Sequence, residues 1–154
     1  MGLDMYLKGR RYLSRFDDDD KKIAHDLQKQ FPELGNQTSH FGGAMILEVS
    51  IDVGYWRKAN AIHGWFVREV QGGIDDCKSY DVSRTDLTNF RALCLRVLNF
   101  KHLANELLPN VEGFFFGGQE YDEGYYADLE NTVAIIDKAL ALPENWEFEY
   151  QSSW

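Results

Sequence analysis

Both ends of this chain alternate. Leu3, Met5 and Leu7 take turns with Asp4, Tyr6 and Lys8 at the start, and Trp146, Phe148 and Tyr150 take turns with Glu147, Glu149 and Gln151 near the end. Successive strand side chains point to opposite faces, so each stretch presents one apolar and one polar face. A sheet of such strands buries one face and wets the other, which disfavours a parallel sheet covered on both sides. The apolar face then needs helices to cover it.

The intervening sequence supplies them. Ile23, Leu27 and Phe31 mark a short helix stopped by Pro32, after an acidic run, Asp17–Asp20, expected in an exposed loop. Leu47, Val49 and Ile51 alternate with Glu48, Ser50 and Asp52 as a second strand. A helix opening at Asp52 or Gly54 is expected to run to about Val70 and stop at Gly72-Gly73. Residues 77–82 read as a strand, and Ser83 with Asp86 reads as a capping box for a helix carrying Leu87, Phe90, Cys94, Val97 and Leu98. A short helical turn over His102–Leu108 precedes Pro109, and Phe114–Phe116 suits an inner strand. Tyr126, Leu129, Val133, Ile136 and Leu140 make the longest helix, ended by Pro143. The expectation is α+β: a single domain over 1–154, with a mixed or antiparallel sheet of about five strands and helices mainly on one face.

Hydrophobic residues at 44% of 154 give enough apolar surface for a real core. No apolar run approaches the eighteen or so residues of a membrane span, and no basic segment followed by an apolar run opens the chain. Cys77 and Cys94 are too few for a disulfide framework and lack metal-ligand spacing, so they are expected as reduced thiols. A cytoplasmic protein with no metal, cofactor or membrane contact follows as the expectation.

Charge is distributed unevenly. Residues 1–110 carry 15 acidic and 15 basic side chains, whereas residues 111–154 carry ten acids against Lys138 alone, which accounts for the net −9. Such a field opposes direct nucleic-acid binding and favours a basic partner near that end, although acids also serve solubility alone. An acidic mimic of nucleic acid is a weaker reading of the same asymmetry.

The candidate site is the block Gly54–Phe66, which packs four large aromatics, two bases, an amide and an imidazole into thirteen residues. On a helical wheel Tyr55, Ala59, Ile62, Phe66 and Val70 form the core stripe, with Trp56, Asn60, His63 and Val67 beside it and Lys58, Trp65 and Arg68 on a third stripe. Trp56 is then placed to stack on a ligand, Asn60 and His63 to hydrogen-bond it, and Arg57 or Lys58 to meet an anionic group. Tyr121 or Trp154 is expected to close part of the pocket. Gly64 costs this helix about 1 kcal/mol relative to Ala and so calls for a close neighbour or a ligand. His63 with Asp75 or Asp76, from the turn Gly72–Asp76, is the candidate pair for acid–base chemistry.

The segments MGLDMYL, VGYWRKANAIHGWFV, QGGIDDC, GFFFGGQEYDEGYY and YQSSW together resemble a group of small phage and prophage proteins. The resemblance covers most of the chain except 8–45 and 84–106, and it carries no assigned site residues. It implies a phage-encoded accessory protein in the bacterial host cytoplasm. Such a protein is expected to bind a host or anti-phage-defence component non-covalently, either a protein or a small nucleotide-like, anionic ligand. The alternative is a small hydrolase or transferase using His63 with Asp75 or Asp76.

Overall fold

Strand alternation is realised at both chain ends, and the two strands become neighbours. The computed structural model describes residues 2–34, 46–113, 118 and 120–154. The chain groups into two compact units, Arg10–Ser50, and Met1–Gly9 with Ile51–Trp154. The fold is α+β, with a four-stranded antiparallel sheet in the order β2-β1-β4-β3: β1 Asp4–Tyr12, β2 Glu48–Arg57, β3 Tyr80–Val82 and β4 Glu147–Ser153. Among the described residues there are four strands, against about five expected. The expected strand at Phe114–Phe116 lies outside the described residues.

Within Arg10–Ser50 the acidic run is no loop. Asp17 accepts hydrogen bonds from the N–H groups of Asp19 and Asp20 and so caps α1, Asp18–Gln28. Asp18, Asp19 and Asp20 fill the first turn, where the helix dipole favours negative charge. Asp20 also accepts from the Ser14 N–H at 3.0 Å and from Arg11 at 2.6 Å, and these two contacts hold its carboxyl below the usual carboxylate range.

In the larger unit Met5, Leu7, Gly54, Trp56, Val82, Phe148 and Tyr150 point to the buried face. That face is covered by α2 (Asn60–Glu69), α3 (Arg84–Asn99) and α5 (Glu123–Ala141), with the short α4 (Ala104–Leu107) between the last two. The capping box of α3 forms as expected, Ser83 and Asp86 exchanging backbone contacts. Phe66 is the centre of the core. Its ring stacks on Tyr150 at 3.8 Å and meets Trp65 and Phe90 edge-on, while Trp65 stacks on Phe90 at 3.8 Å. Trp65, expected on an outer stripe, is therefore a core residue, 6% exposed.

The start of α2 differs most from expectation. Gly54 to Arg57 continue β2, with Gly54 and Trp56 buried and Tyr55 and Arg57 exposed. The strand ends where Lys58 takes a left-handed backbone, φ 58°, and the helix opens at Asn60. The cause is steric. A Cβ on Gly54 would lie 2.3 Å from Ile135 Cγ2, so α5 sits directly on this stretch of β2 and leaves no room for a helix.

Candidate functional site

Helix α2 begins without a side-chain cap. Ala59 occupies the capping position with no hydrogen-bonding side chain to offer. The Asn60 N–H folds back to Lys58 C=O at 3.0 Å and the His63 N–H bonds Ala59 C=O. Ala61 and Ile62 N–H find no acceptor among the described residues. Unsatisfied first-turn donors and the positive end of a helix dipole attract anions.

Ala61 and Ile62 line a cavity of about 290 Å³ together with Arg57 and Lys58. Both bases are exposed, and Arg57 Nε lies 3.8 Å from Asp4. The lining also includes Glu120, Asp122 and Asp128, with Tyr125 and Leu129. Asp122 is the N-cap of α5, accepting from the Tyr125 N–H at 3.0 Å. Asp128 is half-buried, and desolvation, followed by the neighbouring Asp122 charge, pushes its carboxyl up to about 6. The cavity lining thus combines two basic residues and the start of a helix with three carboxylates. Among the described residues no three His, Cys, Asp or Glu side chains gather as metal ligands.

Asn60 builds this cavity and lines it. Its Oδ1 accepts from the Val111 N–H at 3.0 Å and its Nδ2 donates to Gly118 C=O at 2.7 Å. A buried amide spanning two chain positions holds both beside the start of α2. Gly64 has a neighbour rather than a ligand: a Cβ there would lie 2.3 Å from Val111 Cγ2.

Of the six residues expected at the pocket, only Arg57 and Asn60 line the cavity. Trp56 is 2% exposed, packs on Phe66 and donates its indole N–H to Thr132 at 2.9 Å, because it belongs to the inward face of β2. Tyr121 donates to Asn105 Oδ1 at 2.9 Å and stands edge-on to Tyr125. Tyr125 is buried with its hydroxyl on Leu108 C=O. Asp128 was not singled out by the sequence. It stands beside Leu129 in the apolar stripe of α5, and nothing in the spacing marks it as a cavity residue.

His63 and Trp154 meet elsewhere, around Asp75. The His63 ring is 1% exposed, with Nε2 3.0 Å from Asp75 Oδ2 and Nδ1 2.8 Å from the Tyr150 hydroxyl. A carboxylate only accepts, so in the neutral ring Nε2 carries the proton and Nδ1 accepts from Tyr150. Burial and then the Asp75 charge raise the Tyr150 phenol well above its ordinary range and keep it a donor. Trp154 Nε1 donates to the other Asp75 oxygen at 3.1 Å. Asp76 takes no part, bonding Lys78 and Tyr80 instead. The arrangement ties α2, the 71–79 turn and β4 together.

No described helix is long and apolar enough to cross a membrane. Set beside known protein families, curated proteins and solved structures, the chain matches none of them.

Proposed function

We propose that this protein acts by non-covalent capture of a small ligand in the cavity at the start of α2, the ligand carrying an anionic group at one end and N–H donors at the other. The observation behind this reading is the mixed lining of the cavity, in which Arg57, Lys58 and the uncapped first turn of α2 share the space with Glu120, Asp122 and Asp128. A nucleotide-like molecule has both features, a phosphate for the basic residues and base amino or imino groups for the carboxylates. The volume of about 290 Å³ suits a small ligand, at the lower end of ligand pockets. In the phage setting that the resemblance implies, such a ligand is a host or defence signalling nucleotide held away from its receptor.

The test is calorimetric titration with nucleoside monophosphates and cyclic dinucleotides, alongside amide NMR shifts. Binding should move the Ala61 and Ile62 resonances first. Arg57→Ala should weaken it about tenfold or more, as loss of a charged hydrogen bond of roughly 1.5–3 kcal/mol requires, with the melting temperature nearly unchanged. If no such ligand moves those two amides, the reading fails.

One observation favours a second reading, hydrolase or transferase chemistry at His63: its 3.0 Å contact with Asp75. A substrate must displace Tyr150 from Nδ1 to reach that ring, which is 1% exposed.

A further inference from the structure

We propose that the ligand of the α2 cavity is a guanine nucleotide, selected by Asp128, whose carboxylate accepts the two adjacent N–H donors of the guanine edge while Arg57 and Lys58 meet the phosphate. This rests on the ligand capture proposed above and names the base that capture leaves open. Three carboxyl side chains line the cavity. Asp122 is committed to the fold, capping α5 through the Tyr125 N–H. Glu120 is exposed to water. Asp128 is half-buried, and only its backbone C=O is engaged, by the Thr132 hydroxyl at 2.7 Å. Among the described residues its carboxyl has no hydrogen-bond partner. No base draws the carboxyl down either. Burial acts on it first and the Asp122 charge second, and both push it up, to about 6. A desolvated carboxylate without a partner is costly, so a ligand that supplies donors is strongly favoured there.

The choice of base follows from what a carboxylate can do. Ionised, it only accepts, so it matches an edge made of neighbouring donors. Guanine has such an edge, N1–H beside the N2 amino group, and the pair makes two charge-assisted hydrogen bonds. Adenine and cytosine set an acceptor nitrogen beside their amino group, and uracil flanks its N–H with two carbonyls. Each of those edges turns a lone pair on the carboxylate. Protonation inverts the match, because a carboxyl with one O–H donor beside one acceptor oxygen fits N1 and the N6 amino group of adenine. The other charged or titratable residues of the lining are Arg57 and Lys58 from the end of β2 and the residue after it, and Glu120, Asp122 and Tyr125 around the start of α5. Helix α2 contributes Asn60, Ala61 and Ile62, none of which titrates. The base preference therefore turns on the charge of Asp128.

Calorimetry of the full chain with guanosine and adenosine monophosphates tests this. Above about pH 7 the guanosine nucleotide should bind about tenfold or more tighter, and the ratio should fall below about threefold near pH 5. Near pH 6 its binding should release protons and that of the adenosine nucleotide should take them up, read as opposite dependences of the heat on buffer ionisation. Asp128→Asn presents one donor and one acceptor at every pH, so it should prefer the adenosine nucleotide and lose the pH dependence. Nucleotides that shift the Ala61 and Ile62 amides without a guanine preference above about pH 7 overturn selection by Asp128 and leave capture standing. A guanine preference that Asp128→Asn keeps does the same. If neither nucleotide shifts those amides, capture and selection both fall.

Discussion

His63 and Asp128 show how burial assigns different roles to two ionisable side chains. His63 has both ring nitrogens engaged by Asp75 and Tyr150, so its polar capacity is spent inside the fold. Asp128 faces the cavity, and its carboxyl is destabilised as an anion, first by desolvation and then by Asp122. An acid whose pKa rises on folding keeps its proton in the folded chain at pH values where the unfolded chain has released it. This contribution to stability is fully present below about pH 4 and is lost as pH rises through about 6. Asp128→Asn removes the penalty. Thermal melts should show the variant stabilised relative to the parent above pH 6, with the gain shrinking steadily toward pH 4. A difference that does not vary with pH would mean that Asp128 ionises normally in the folded chain.

At the scale of elements, α2 is where sequence and structure part. A wheel drawn through Gly54–Val70 assumes one element, whereas the chain makes a strand to Arg57, a left-handed residue at Lys58 and a helix from Asn60. Gly54, Trp56 and the exposed Tyr55 and Arg57 already alternate, but over four residues that pattern is too short to outweigh a helical stripe. What decides it is Ile135, 81 positions further along, and no local pattern reports that contact. The capping box of α3 was legible because its chemistry lies within four residues. The cavity was half legible, since Arg57 stands in the aromatic block while Asp128 comes from another helix. The packing of Gly64 makes a direct test. Gly64→Ala should gain about 1 kcal/mol of helix propensity but overpack Val111, typically costing 1–3 kcal/mol, for a net loss. Next to Val111→Ala the same change should stabilise. Urea titrations of the two singles and the double read this directly, and equal effects in both backgrounds would exclude the Val111 contact as the cause.

Across the larger unit, stability concentrates at β4. The strand lies between β1 and β3, pairs with β3 from Tyr80↔Tyr150 to Val82↔Phe148, and sends Phe148, Tyr150 and Ser152 inward. Tyr150 alone stacks on Phe66, holds the His63 ring and is fully buried. Losing a buried aromatic side chain costs about 3–5 kcal/mol, so losing both Phe148 and Tyr150 approaches the 5–15 kcal/mol total of a typical domain. Deleting residues 146–154 also removes the hydrogen-bond partner of β1 from the middle of the sheet. The expected outcome is loss of the cooperative melt and of amide dispersion across 51–145. Removing Trp154 alone should behave differently. Its indole is 44% exposed and makes one hydrogen bond to Asp75, so the cost should stay below about 1 kcal/mol. A long truncation that still melts cooperatively would mean that the core closes without β4, and that the alternation at the chain's end is not what holds the sheet together.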